Sequence, residues 1–389
     1  MNVCCVCGAR PNFMKIAAVT KAMAQRPSLQ YFVVHTGQHY DEKMYKVQFD
    51  DLELPRPEVN LEVGSGSHAV QTAEIMKRFE PVVLQRKPDM VLVVGDTNST
   101  VSCALVAAKL NVPVAHVEAG LRSFDRQMPE EINRVLTDAI SDLLFVSERS
   151  GLENLRREGV PDKRVFFVGN VMIDTLLRHR DRAQQSDVLQ RLNVRPKEYA
   201  VLTLHRPSNV DDPDALSRLL GAMKDLQTLS SSGGPRPSSV VGRPSSSVLP
   251  IIFPIHPRTV ERLKSFGLMP TVETMPNFRL IAPLGYLDFL KLMADAKLVL
   301  TDSGGIQEET TILRVPCLTL RENTERPATL EAGLNQLVGN DPARIREGLR
   351  RILENRLTPG PPPEKWDGHA GERIADVLDQ VENGHRVHR

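Results

Sequence analysis

Leu298-Val299-Leu300-Thr301-Asp302-Ser303-Gly304-Gly305-Ile306-Gln307-Glu308-Glu309 decides the fold. Its opening residues form an apolar run of strand length, which closes on a polar turn with paired glycines and passes into helical spacing. That succession of strand, turn and helix is the repeating unit of a parallel α/β sheet. The same pattern runs through the chain. In the first half it predicts strands at Val3–Cys7, Tyr31–His35, Met90–Val94, Val114–Val117, Leu143–Val146 and Val165–Val168. In the second half it predicts them at Ala200–Leu204, Ile251–Ile255, Phe278–Ile281, Leu298–Leu300 and Cys317–Leu320.

The expected architecture is two Rossmann-like α/β domains joined near Gly169-Asn170-Val171, one over 1–170 and one over 171–367. A last helix within 368–389, marked by Ile374, Val377, Leu378 and Val381, is expected to pack back on the N-terminal domain. Open α/β sheets bind ligands beyond the carboxyl ends of their strands, so two domains facing across a cleft would line it with both sets of loops. One segment breaks the pattern. Residues 230–247 hold eight Ser, three Gly and three Pro in 18 positions, too little apolar surface to offset ordering entropy, and read as a flexible surface insertion.

The chain has 389 residues, with Lys plus Arg 49 against Asp plus Glu 48 and a formal charge of +1. So even a balance argues against binding driven by a phosphate backbone or an anionic membrane surface. The apolar runs fall far short of the roughly 18–20 residues a bilayer requires. The start, Met1-Asn2-Val3-Cys4, lacks a basic segment before its apolar stretch, which fits a cytoplasmic protein and no signal peptide. Five cysteines are expected to be buried thiols: strand alternation puts Cys4 opposite Cys5 and Cys7, and no second ligand pair follows.

No G-x-G-x-x-G follows a strand and no P-loop is present, so the usual dinucleotide and triphosphate sites lose their support. Ser303-Gly304-Gly305 offers a different one: paired glycines at a strand-to-helix turn let backbone amides approach a diphosphate, and the helix N-terminus adds partial positive charge. Glu309, one turn into the helix, is placed to accept hydrogen bonds from ribose hydroxyls. The same residues also fit a plain helix start, with Ser303 as cap and Glu308 and Glu309 complementing the dipole. Gly8-Ala9-Arg10-Pro11-Asn12-Phe13-Met14-Lys15 brings two cations to another helix start, where Arg10 can fork onto phosphate and Lys15 is a point charge or a solvated side chain.

Carboxylates stand at successive strand ends, Asp96 in Gly95-Asp96-Thr97 and Glu118 in His116-Val117-Glu118-Ala119-Gly120. Glu130 and Arg134, four apart, share a helix face, either as site residues or as a surface ion pair. His205-Arg206 and His256 close two strands of the second half; a histidine so placed also fits a packed, hydrogen-bonded role. Acids from one domain, with Arg, His and a diphosphate turn from the other, suggest acid/base work on a nucleotide-activated small molecule.

The blocks GARPNFMK (8–15), TGQHYDEKM (36–44), GDTNST (95–100), HVEAGLRSFDRQMPEEINR (116–134), HRPSNVD (205–211), TDSGGIQEE (301–309) and ENTERP (322–327) closely resemble the non-hydrolysing UDP-N-acetylglucosamine 2-epimerases, over nearly all the chain outside the insertion. The resemblance implies the GT-B fold and a homodimer. It also implies reversible interconversion of UDP-GlcNAc and UDP-ManNAc, with no cofactor and no obligatory metal, supplying ManNAc units for cell-surface polysaccharide. The implied route is elimination of UDP to a 2-acetamidoglucal and re-addition with C2 protonated on the other face.

By the same resemblance, Asp96, Glu118, Glu130 and His205 are the catalytic groups. Arg10, Lys15, Arg134, Arg206, His256 and Arg326 contact phosphate or sugar, and Ser303, Gly304 and Gly305 hold the diphosphate. Glu309 clamps the ribose, while Phe289 and the main chain at Leu284 border the uracil. Gln38 and His39 fall in the loop where bacterial members bind UDP-GlcNAc as an effector. The competing readings are a GT-B glycosyltransferase with a UDP-sugar donor, an epimerase of a related UDP-diacetamido sugar, and a non-catalytic nucleotide-sugar sensor.

Overall fold

Strands buried on both faces are near-continuous apolar runs, and such runs form the sheets here. The computed structural model describes residues 1–8, 10–37, 51–54, 56–229, 249–276 and 278–383, with the backbone alone at 10, 11 and 225–229. The insertion 230–247 and the effector-loop residues Gln38 and His39 lie outside these.

The described chain divides into two units, Met1–His179 with Pro363–Arg389, and Arg180–Pro362. The first is built on β1 (Asn2–Cys7), β2 (Gln30–His35), β3 (Val59–Asn60), β4 (Met90–Val94), β5 (Val114–Ala119), β6 (Leu143–Val146) and β7 (Val165–Phe167). They form one parallel sheet in the order β3-β2-β1-β4-β5-β6-β7. Its helices are α1 (Arg10–Met23), α2 (His68–Arg86), α3 (Asn98–Lys109), α4 (Pro129–Ile140), α5 (Arg149–Arg157) and α6 (Val171–Gln184). The last of these runs through the boundary between the units, which lies beyond the joint expected at 169–171.

Side chains alternate across the sheet as the strand period requires. Cys4, Val6, Val91 and Val93 pack under Ile75, Phe79 and Val83 of α2 and Cys103, Ala104 and Ala107 of α3. Cys5 and Cys7, on the alternate positions, are also buried, and all five cysteines are free thiols.

The second unit contains α7 (Val188–Arg191), β8 (Ala200–Thr203), α8 (Pro207–Val210), α9 (Pro213–Leu229), β9 (Ile251–Pro254), α10 (Pro257–Ser265), α11 (Met269–Glu273) and β10 (Phe278–Ile281). It continues through α12 (Tyr286–Ala294), β11 (Leu298–Thr301), α13 (Gly304–Leu313), β12 (Cys317–Thr319), α14 (Pro327–Glu331), β13 (Asn335–Leu337) and α15 (Pro342–Leu353). Its parallel order, β10-β9-β8-β11-β12-β13, repeats the logic of the first sheet. Strand order therefore reverses between β1 and β4 and again between β8 and β11, the switch points where loops diverge and leave room for a ligand.

From Pro363 the chain belongs again to the first unit. Trp366 donates its indole N–H to the Ser147 carbonyl at 2.9 Å, and Lys365 donates to the Phe167 carbonyl at 2.7 Å. α16 (Ala370–Glu382) then packs along α1, burying Ile374, Ala375 and Leu378. Asp174 of α6 accepts the first amides of α16, Ala370 N at 3.1 Å and Gly371 N at 2.7 Å, which satisfies donors that a helix start leaves unpaired. Among the described residues no helix is long and apolar enough to cross a membrane.

Candidate active site

In the first unit the site grows from the turn after β4. Gly95 takes a left-handed conformation (φ 69°), open at low cost to a residue without a Cβ. Thr97 then caps α3 in a reciprocal box with Thr100, whose hydroxyl donates to the Val94 carbonyl at 2.8 Å. These bonds fix Asp96 between strand and helix. A Cβ on Gly95 would lie 3.0 Å from Lys15 Nζ and 3.4 Å from Glu118 Oε2, so the glycine also leaves room for an ion pair against the turn.

That pair is Lys15 of α1 and Glu118 of β5, 6% and 7% exposed. Glu118 is a non-glycine residue at φ 75°, where the β5–β6 register shifts between Val117 and Ala119. A left-handed conformation at a side-chain-bearing residue costs energy and persists only where surroundings impose it. The strand is thereby bent so that its carboxylate meets Lys15 at the sheet's C-terminal edge.

α4 supplies the third element. Arg134, almost fully buried, donates to Asp96 Oδ2 at 2.6 Å and also pairs with Glu131. Glu131 accepts Ser123 N and Oγ, both at 2.9 Å, and Phe124 N at 3.0 Å. Asn133 donates to the Asp96 main-chain carbonyl at 2.9 Å. Of the expected residues the structure thus brings together Lys15, Asp96, Glu118 and Arg134. Glu130 stands half-buried in the first turn of α4, beside Glu131, which sequence reasoning passed over although it shares the acidic doublet. Arg10 begins α1, and its side chain is outside the description.

The second unit has its own cluster of expected residues, at the ends of β8 and β11. Asp302 is fully buried and accepts His205 N at 3.0 Å, Arg206 N at 2.9 Å and Asn209 Nδ2 at 3.3 Å. It also holds His205 Nδ1 at 2.8 Å, leaving that imidazole's side chain 43% exposed. Burial pushes the Asp302 carboxyl up, but the His205 charge and the two backbone amides outweigh it and hold the group below its ordinary value. The anchored imidazole therefore presents its other nitrogen outward.

Ser303 stands at the N-cap position of α13, with extended backbone and no side-chain bond to the helix amides. At Gly304 a Cβ would come 2.8 Å from Glu325 Oε1, which would have to shift, with the Arg326 guanidinium at 3.8 Å. Behind the turn, Arg326 pairs with Glu308 at 2.5 Å and Arg321 with Glu325 at 2.7 Å, all four side chains nearly fully buried. Arg206 approaches Glu325 at 3.9 Å. Three guanidinium groups and two carboxylates thus gather under the start of α13, whose first backbone amides add partial positive charge. Glu309, buried in α13, accepts a long bond from Tyr286 Oη at 3.4 Å.

Three further expected residues lie at the ends of β9 and β10 and the start of α12. His256 is exposed at the end of β9, and its Nδ1 accepts Arg258 N at 3.3 Å, capping α10. Leu284 and Phe289 flank the start of α12, both half-buried. Among the described residues no group of three His, Cys, Asp or Glu side chains is arranged to hold a metal ion.

A family model described as UDP-N-acetylglucosamine 2-epimerase matches residues 21–233 and 239–379. The chain is 41% identical over 386 residues to the UDP-N-acetylglucosamine 2-epimerase of Methanocaldococcus jannaschii, covering 97% of this chain and 99% of that one. It is 38% identical over 386 residues to the UDP-2,3-diacetamido-2,3-dideoxy-D-glucuronate 2-epimerase of Pseudomonas aeruginosa, again covering 97% and 99%. The structure is similar, with TM-score 0.88 and 41% identity over 98% of this chain and 100% of the other, to the crystal structure of Methanocaldococcus jannaschii UDP-GlcNAc 2-epimerase in complex with UDP-GlcNAc and UDP.

Proposed function

The chain belongs to the UDP-N-acetylglucosamine 2-epimerase family, and from that premise we propose how its side chains divide the work of inverting C2 of UDP-GlcNAc. The protein is an isomerase. The carrying observation is the buried Lys15–Glu118 pair beside Asp96, with Glu118 held at φ 75° against its own backbone preference.

The C2 proton is not acidic by itself, so it must leave together with a good leaving group. A carboxylate among Asp96, Glu118 and Glu130 takes the C2 proton as the C1–oxygen bond to UDP breaks, giving a 2-acetamidoglucal and free UDP. In the return step a UDP oxygen attacks C1 while an acid delivers a proton to the opposite face of C2. Atoms balance without any outside reagent.

The second unit's half binds the leaving group. Amides of Gly304 and Gly305, the Ser303 hydroxyl and the guanidinium groups of Arg206 and Arg326 receive the diphosphate, and donors placed where charge develops lower the barrier. His205, oriented by Asp302, contacts the departing oxygens. Glu309 takes the ribose hydroxyls, and Leu284 and Phe289 border the base. Lys15, Arg10 and Arg134 offset charge near the sugar, and His256 gives a further polar contact. Gln38 and His39 contribute to an effector site for UDP-GlcNAc. The protein works as a cytoplasmic homodimer and supplies ManNAc units for cell-surface polysaccharide.

The 38% identity to an enzyme of a diacetamido uronate keeps a second substrate reading in view. Both sugars carry UDP and a C2 acetamido group, and differ at C3 and C5. Incubation with UDP-GlcNAc should yield UDP-ManNAc by NMR, and UDP-ManNAc should yield UDP-GlcNAc to the same ratio. Turnover of the diacetamido uronate with an inert UDP-GlcNAc would transfer the function to the second sugar.

A further inference from the structure

His116 lies in the middle of β5, fully buried, with both ring nitrogens bonded: Nδ1 to Asp138 Oδ1 at 2.7 Å and Nε2 to the Gly95 main-chain carbonyl at 2.8 Å. A carbonyl oxygen only accepts, so Nε2 must carry a proton. The Asp138 carboxylate also only accepts, so Nδ1 must carry one too. Asp138 is itself committed: its Oδ2 accepts Gly120 N at 3.0 Å and Arg122 Nη2 at 2.7 Å. Burial pushes the Asp138 carboxyl up, yet His116 and Arg122 outweigh it and hold the group below its ordinary value. Arg122 is tied in turn to Glu158 by two bonds, at 2.8 and 2.7 Å.

From this geometry we infer that His116 is the positioning residue of the acid/base cluster, donating from both ring nitrogens and clamping the Gly95 carbonyl so that Asp96 and Glu118 keep their places. The inference rests on the proposed reaction only for its kinetic consequence. Gly95 is the residue over which Lys15 and Glu118 meet and from which Asp96 follows, so a bond to its carbonyl fixes both acids at once. Asp138 holds the other end through the Gly120 amide, two residues past Glu118, which braces the backbone of the bent strand. The charged groups around the clamp are Asp138 and Arg122 in contact, with Lys15, Asp96, Glu118 and Arg134 around the turn.

The test is NMR of the full-length protein labelled with 15N at histidine, with His116 assigned by its loss in His116→Gln. Both ring nitrogens should show directly bonded protons, held by Asp138 and the Gly95 carbonyl. A ring nitrogen without its proton overturns the inference whether or not the protein is an epimerase. In kinetics, His116→Gln keeps one amide donor but cannot span from Asp138 to the Gly95 carbonyl as the ring does. It should lower kcat about tenfold or more with KM nearly unchanged, the signature of misplaced catalytic groups. An unchanged kcat would reduce His116 to a packing residue.

Discussion

Lys15 of α1 and Glu118 at the end of β5, 103 residues apart in sequence, are joined by a buried ion pair against Gly95. Neither charge has bulk water to fall back on. Lys15→Met should leave Glu118 buried and unbalanced, lowering stability by about 3–5 kcal/mol in urea unfolding, with Lys15→Met/Glu118→Gln recovering much of it. A double variant no more stable than the single one would show that the two charges are not energetically coupled.

Asp96 is held by Arg134 at 2.6 Å, yet its side chain remains 24% exposed, the condition of a group that can exchange a proton with substrate. Asp96→Asn keeps the shape and removes the charge. Turnover should fall by at least roughly a hundredfold, the scale of a lost acid/base group, while UDP affinity by calorimetry stays nearly unchanged. Unchanged turnover would remove Asp96 from the chemistry.

Asp302 titrates below its ordinary 3.8 in the folded protein, so its ionised form is favoured by folding. That contribution is present above about pH 4 and is lost as pH falls through the lower folded value. The stability gap between wild type and Asp302→Asn, read from urea midpoints, should be widest near neutral pH and shrink below pH 4. A gap independent of pH would mean that Asp302 acts as a neutral hydrogen-bond partner.

Asp174 has the opposite sign. Burial pushes its carboxyl up from 3.8 to about 6, against the pull of the Gly371 and Ala370 amides. Folded Asp174 therefore binds its proton more tightly than the unfolded chain does. Its stabilising contribution is full below about pH 4 and is lost as pH rises through about 6. Lys21, Arg178, His179 and Glu372 line the same small cavity, and Asp367, His369 and Arg373 add their charges. Asp174→Asn should lose roughly 2–3 kcal/mol less than wild type between pH 4 and pH 7.5. Parallel curves for the two proteins would refute the assignment.

The sheets were legible because each central strand is an apolar run closed by a polar turn, as at Met90–Val94 before Gly95. β3 and β13 were missed: Val59–Asn60 and Asn335–Leu337 are edge strands of two and three residues with no run to detect. Asp96, Glu118, His205 and Gly304 could be picked out because strand ends of open α/β sheets carry ligands. Their partners could not. Asp138 and Asp302 are ordinary acidic letters until tertiary packing buries them against His116 and His205, and the local pairs Glu131–Arg134 and Glu325–Arg321 read as surface charge until packing buries them. Nor does His-Val-Glu-Ala-Gly announce that Glu118, not the glycine alone, adopts positive φ. The one local signal was His116, a polar residue inside an apolar strand.

Elimination and re-addition make one demand no transferase or sensor shares: the C2 hydrogen must come from solvent-exchangeable acid. Incubating the full-length enzyme with UDP-GlcNAc in heavy water and reading C2 by NMR tests this directly. Deuterium should enter C2 as UDP-ManNAc forms, with exchange abolished in Asp96→Asn. UDP-ManNAc that retains protium at C2, or UDP-GlcNAc that never exchanges, would contradict proton transfer by the acids of the first unit.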